Sequence, residues 1–253
     1  MHEAKDQSFL SETIRWRKEL GLPNQLCLFR HGLYKDVAID RQQGGPMIFW
    51  IANVAGLAIA YLFGSIPTGY LAGKLLKGID IREHGSRSTG ATNVLRTLGK
   101  GPALAVLLVD VLKGVAAIVF IRWLCALPYL TPPAGLEPQR FVPWAVCLAG
   151  LAVLLGHGRS IWLNFTGGKS AATGLGVLLA MSWPIGLGAA AVFCVVLVIS
   201  RIVSLSSMLA ALTAIALVCG MQQPLPYWLL VFAGGLYVIA RHNANIWRDG
   251  ASA

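Results

Sequence analysis

Charge is scarce in this chain. Only 13% of its 253 residues are charged, while 56% are hydrophobic. A soluble domain carries about 25% charged residues, so an ordinary water-exposed globule is excluded. Carboxylates are scarcer still. After Gly45-Pro46 there are just Asp80, Glu83, Asp110, Glu137 and Asp249, with no HExxH motif and no acidic cluster. A divalent metal held by carboxylates is therefore not expected, nor any cofactor, and no Ser-His-Asp arrangement can be assembled. The cysteines Cys27, Cys125, Cys147, Cys194 and Cys219 lack CxxC or metal-ligand spacing. Four of them lie in or beside apolar runs and read as free thiols packed as small hydrophobes. No basic stripe on a soluble fold is visible, which argues against a nucleic-acid partner.

What the chain does have is long apolar runs. They make it an all-α polytopic membrane protein. Residues 1–46 stand apart, with seven Lys/Arg against six Asp/Glu and a short expected helix around Ser11–Leu20. They read as a polar extension, expected to be dispensable, with Met47 able to serve as a start. The membrane domain is placed at 47–248, with 249–253 a short tail. The first span covers Met47–Gly73, and Pro67 among flanking glycines predicts a break near its end. The second covers Pro102–Trp123 and holds Asp110 and Lys113, three apart on one helical face. Such a pair either marks a site or neutralises itself. The third covers Phe141–Gly156.

Residues 171–200 are too long for one upright span and short for two. Arg159 and Lys169 precede the segment and Arg201 follows it, so the positive-inside tendency requires two short spans hinged near Trp183–Pro184. The sixth runs Leu205–Met221 and the seventh Tyr227–Ala240. The expectation is thus seven transmembrane helices, several short, with glycine-rich cytoplasmic loops. It puts the polar segments 78–100, 157–170, 200–207 and 241–248 on one face, where they can converge on one site. Residues 47–253 hold fourteen Lys/Arg against five acids, an excess that suits anionic headgroups and an anionic substrate.

The segment 78–100 is a polar, glycine-punctuated loop with Ser86, Ser88, Thr89, Thr92 and Asn93 among Arg82, Arg87 and Arg96. Glycines let N–H groups approach an oxyanion, and arginine and hydroxyl groups add charge-assisted bonds, so the composition suits phosphate. Residues 156–174, GHGRSIWLNFTGGKSAATG, form a second such segment. Its GGKS is not a nucleotide P-loop, because Leu163 stands where the first glycine belongs and no strand precedes it. In residues 1–46, HGLYKD places His31 and Asp36 in a His-x4-Asp pattern like that of the acyl-CoA glycerolipid acyltransferases. None of that family's further motifs follows.

GSIPTGYLAGKLLKGIDIREHGS…TGATNVLR, then GHGRSIWLNFTGGKSAATG, SRIVSLSS and RHNANIWR resemble, in order and spacing, the bacterial acyl-phosphate:glycerol-3-phosphate acyltransferases. The resemblance covers about residues 47–248. It implies a seven-helix enzyme of the plasma (inner) membrane with its site facing the cytoplasm. Such an enzyme moves an acyl chain from acyl phosphate to the 1-hydroxyl of glycerol 3-phosphate, releasing phosphate and lysophosphatidic acid in the first step of phospholipid synthesis. It needs membrane lipid and no obligate protein partner. By motif matching, Ser86, Thr92, Asn93 and Arg96 fall in the first motif, Gly167, Gly168 and Lys169 in the glycine-rich second, Ser206 and Ser207 in the third. His242 and Asn245 match the C-terminal His-x-x-Asn. Among these, Ser86, Arg96, Lys169, His242 and Asn245 are the expected catalytic set, the rest substrate- and phosphate-binding. Arg87 departs from the family's GSGN, standing where a glycine would permit positive φ. The rival function is a transporter of a phosphorylated metabolite, which would need polar or broken-helix features on both faces.

Overall fold

The computed structural model describes residues 24–130 and 132–250, with side chains described for 45–130 and 132–242. The helix expected at Ser11–Leu20 and the side chains of His31, Asp36 and Asn245 lie outside the described residues. The chain divides into two units, Met1–Met47 and Ile48–Ala253, and the described residues form nine α-helices, the first of which begins in the first unit. In order these are α1 (Asn24–Ser65), α2 (Thr68–Lys77), α3 (Ala91–Leu98), α4 (Lys100–Cys125), α5 (Pro138–Gly158), α6 (Ala171–Met181), α7 (Trp183–Ser200), α8 (Val203–Gly220) and α9 (Leu225–Gly250). Short 3-10 turns occupy Ile81–Glu83 and Ile161–Leu163. Among the described residues, five stretches are long and apolar enough to cross a bilayer: Gly45–Lys77, α4, α5, α7 and α8.

Proline and glycine place the boundaries. The first apolar stretch breaks at Ile66-Pro67, as the sequence predicts, because proline cannot donate to the preceding turn. The carbonyls freed there are met by other elements. Lys113 Nζ of α4 donates to Ile66 O at 3.1 Å, and Ser160 Oγ donates to Ser65 O at 2.6 Å. The same lysine pairs with Asp110 Oδ1 at 2.9 Å, and Thr68 Oγ1 at the start of α2 donates to that oxygen at 2.6 Å. The Asp110–Lys113 pair therefore clamps a broken helix. That is the structural one of the two readings the spacing left open, and Asp110 also lines the cavity described below.

Two glycine pairs let helices cross at backbone contact. On α1 and α5, a methyl at Gly64 would meet Val153 O and one at Gly156 would meet Tyr61 O. On α4 and α6, Gly114 faces Thr173 O and Gly176 faces Val111 O in the same reciprocal way. In lipid, where apolar surface alone drives little association, close packing of small residues carries much of the attraction.

The chain between 171 and 200 breaks at Ser182. Eleven-residue α6 is about 16 Å long, half of a hydrocarbon core of about 30 Å. Its last carbonyls would be stranded at depth. Arg122 of α4 donates to Ala180 O at 3.0 Å and Met181 O at 3.1 Å, and also to Tyr227 Oη at 3.1 Å. Two elements differ from the sequence reading. The loop 78–100 contains a genuine helix, α3, opened at Gly90 and closed at Gly99. The last helix does not stop at Ala240 but continues to Gly250, since no proline or glycine interrupts residues 236–249.

Candidate active site

The segment 78–90 reaches its shape through one buried side chain. Asn93, 1% exposed, offers its Nδ2 to the carbonyls of Ile81, His84 and Ser88 at 2.8–3.0 Å, and its Oδ1 accepts the Ser86 N–H at 2.8 Å. Its amide is thus engaged by the loop itself, so Asn93 positions Ser86 and Ser88. Beside it, Arg82 pairs with Asp80 through Nη2 at 2.7 Å and lies 5.2 Å from the Tyr70 ring centre. The Arg82 hydrogen bond holds the Asp80 carboxyl below the usual carboxylate range. Arg87 takes φ 56°. The backbone keeps the positive φ that a glycine would supply without strain, and arginine adopts it at a cost of about 1–2 kcal/mol.

The GGKS segment is pinned from two sides. Gly168 N–H donates to His157 O at 3.0 Å, and Arg241 Nη2 of α9 donates to Gly167 O at 3.3 Å and Gly168 O at 3.0 Å. A methyl on Gly167 would meet His157 O, and one on Gly168 would meet the His157 ring. Close approach to His157, with no positive φ, is what requires glycine at both positions. His157 is itself buried, its Nδ1 3.6 Å from Asp110 Oδ1. After the glycines, Ser170 takes φ 61° with its hydroxyl on Leu154 O at 2.9 Å, and α6 begins at the next residue.

Between these loops and helices α6 to α9 lies a cavity of about 910 Å³. Ser86, Thr92, Asn93, Arg96, Lys169, Ser207 and His242 all line it, so four motifs distant in sequence meet in one place. Ser204 and Arg201 line it too. Gly167 and Gly168 do not reach it, and neither does Ser206, whose hydroxyl donates to Ile202 O at 2.8 Å one turn back. The Asn245 side chain lies outside the described residues. Sequence reasoning passed over Arg241, Arg122 and Ser160. The guanidinium at Arg241 had a visible signal, since it opens RHNANIWR directly after an apolar span. The others are contacts made across the fold.

The electrostatics of the mouth follow from chain direction. Helices α3, α6 and α8 all begin at the cavity, where Gly90–Thr92, Ser170–Ala172 and Ile202–Ser204 line it. Among the described residues, none gives these three N-termini a side-chain cap. Each leaves first-turn N–H groups and the positive end of a helix dipole facing the same space, a ready site for anions. Arg96, Lys169 and Arg201 add formal charge at the same mouth. Among the described residues, His242, 4% exposed, finds no hydrogen-bond partner at either ring nitrogen. A buried imidazole left this way is normally completed by a ligand or water. Away from the mouth the lining turns apolar through Leu178, Ala189, Phe193, Ala211, Ala214 and Leu230. The cavity can hold phosphate at one end and a hydrocarbon chain at the other.

Known proteins carry the same arrangement of sequence. The pattern of the family described as glycerol-3-phosphate acyltransferase matches residues 54–249. Glycerol-3-phosphate acyltransferase 2 of Rhizobium johnstonii is 76% identical over 206 residues, covering 80% of this chain and 94% of that one. The glycerol-3-phosphate acyltransferase of Acaryochloris marina is 55% identical over 205 residues, covering 80% of this chain and 91% of the relative. Among solved structures, the glycerol 3-phosphate form of an integral membrane glycerol 3-phosphate acyltransferase superposes with a TM-score of 0.69 at 32% identity, covering 79% of this chain and 92% of that one. Its lysophosphatidic acid form gives 0.66 at the same identity and coverage.

Proposed function

The chain belongs to the glycerol-3-phosphate acyltransferase family of integral membrane enzymes, and from that premise we propose that its donor is acyl phosphate and its acceptor the 1-hydroxyl of glycerol 3-phosphate. The products are 1-acylglycerol 3-phosphate and inorganic phosphate. One observation carries the reading: a single cavity joins a mouth of three uncapped helix N-termini, Arg96, Lys169 and Arg201 to an apolar interior. Two phosphates must come together for this reaction, and that mouth offsets their repulsion. Seven spans are proposed, the five long stretches together with short α6 and α9. They put the mouth on the cytoplasmic face of the plasma membrane.

Acyl phosphate is an activated mixed anhydride, so its leaving group needs no strong general acid. Holding hydroxyl and carbonyl in contact is then the larger part of the task. Arg96, Lys169 and the N–H groups of α3 and α6 bind the phosphates and stabilise charge developing on the carbonyl oxygen. Ser86, Thr92 and Ser207 donate further bonds, and His242 with Asn245 completes the set from α9. The glycerol oxygen attacks the acyl carbon, the bond from that carbon to the phosphate oxygen breaks, and the hydroxyl proton passes to a phosphate oxygen. The one carboxylate lining the cavity among the described residues, Asp110, is engaged by Lys113 and Thr68, which favours the substrate phosphate as base.

The test is purified protein in lipid, given glycerol 3-phosphate with palmitoyl phosphate or palmitoyl-CoA in parallel. Phosphate release and lysophosphatidic acid are followed, with Arg96→Ala as control. Product from the acyl phosphate alone, lost in the variant, is expected. Product from the thioester alone would overturn the donor assignment.

A further inference from the structure

On each of four helices the apolar lining of the cavity stops at a particular residue. Leu178 of α6, Ala189 of α7, Ala214 of α8 and Leu230 of α9 line it. One turn further from the mouth, the same helices carry Met181, Ile185, Val218 and Tyr227, all buried at 0–7% exposure within the packed core and none of them lining the cavity. Behind this layer Arg122 bridges Tyr227 Oη to the Ala180 and Met181 carbonyls and fixes the position of two of its members. On α7 and α8 the change is from alanine to a branched side chain, Ala189 to Ile185 and Ala214 to Val218. We propose that Met181, Ile185, Val218 and Tyr227 form a floor that sets the longest acyl chain the enzyme accepts. This rests on the reading that the donor's acyl chain occupies the cavity.

The depth follows from helix geometry. Twelve residues separate Leu230 from His242 and ten separate Ser204 from Ala214. At 1.5 Å per residue the floor lies about 15–18 Å below the polar mouth. An extended chain advances about 1.2 Å per single bond, so about 12–15 bonds fit above the floor. The limit falls near acyl chains of about 14–16 carbons. One helical turn corresponds to about four of those bonds.

Two variants move the floor in opposite directions. Ala214→Leu fills the last turn above it, and Val218→Ala removes part of it. Each is assayed beside the wild type in identical lipid with acyl phosphates of ten to twenty carbons. Each methylene that cannot be seated forfeits about a fourfold factor. The hexadecanoyl-to-dodecanoyl rate ratio is expected to fall at least tenfold in Ala214→Leu. The icosanoyl-to-hexadecanoyl ratio is expected to rise several-fold in Val218→Ala, and this second variant decides alone should the first not fold. Unchanged profiles in a wild type and variants that all turn over acyl phosphates would overturn the floor and leave the reaction standing. A wild type inactive with every acyl phosphate would overturn the donor reading, and the floor with it.

Discussion

Removing both partners of the buried Asp110–Lys113 pair should cost no more than removing either one. The two side chains are 2% and 3% exposed and 2.9 Å apart. Asp110→Ala leaves an ammonium in the membrane with the Ile66 carbonyl as its remaining partner, and strips the Thr68 hydroxyl of its acceptor. Breaking a buried pair on one side costs about 3–5 kcal/mol. Lys113→Met leaves a buried carboxylate with Thr68 and withdraws a donor from the helix break, so its cost falls in the same range. With both replaced, no uncompensated charge is left. The double variant should lose about as much as one single, a coupling of about 3 kcal/mol. For a chain of this length 1 kcal/mol moves the melting midpoint by about 2–4 °C. Each single variant is therefore expected about 6–20 °C below wild type by thermal unfolding in detergent, and the double no lower than either. A double variant destabilised by the sum of the singles would refute the argument.

Further expectations follow from the same contacts. Asn93→Ala removes the amide that ties Ile81, His84, Ser86 and Ser88 together. It should raise protease cleavage within 81–90 at least tenfold and abolish turnover, whereas a side chain acting only on substrate would leave cleavage unchanged. Gly176→Ala sets a methyl against the Val111 carbonyl and should destabilise by at least about 2 kcal/mol, although alanine normally favours helix by about 1 kcal/mol over glycine. Gly101→Ala, in open space on α4, is the control and should be neutral or stabilising in the same melting experiment. Arg87→Gly relieves a left-handed arginine and should raise the midpoint by the equivalent of about 0.5–1 kcal/mol. The Asp80 carboxyl is held below its ordinary range by Arg82, so its contribution is complete above that range and lost as pH falls through the lowered value. Cleavage of the 78–90 segment by an acid protease should therefore rise steeply only at the acid end. Asp80→Asn should remove that dependence, and an unchanged profile would refute the assignment.

The sequence by itself determined the class of molecule and its family. Apolar runs with scarce charge require a membrane, Pro67 requires a break, and charge placed before 171 and after 200 requires a turn between them; the chain does break there, at Ser182. Family motifs in order and spacing identify a glycerol-3-phosphate acyltransferase. These features are local in the chain or are sums over it, and periodicity, composition and spacing report such things directly. The division of labour inside the motifs was decided only by the tertiary structure. Asn93 and Lys113 carry functional groups that suit a substrate, yet the fold turns them onto its own carbonyls. Gly167 and Gly168 are glycine because His157, from another helix, passes against them. Ser206 and Ser207 are neighbours in sequence, and about 100° of rotation around α8 puts one on Ile202 and the other in the cavity. The gathering of three helix N-termini at the mouth, and of four helices around the apolar end of the cavity, exists only once the helices are side by side. A polar side chain looks the same in sequence whether it serves a ligand or a buried carbonyl. Which of the two it serves depends on what packing across the fold has left unsatisfied.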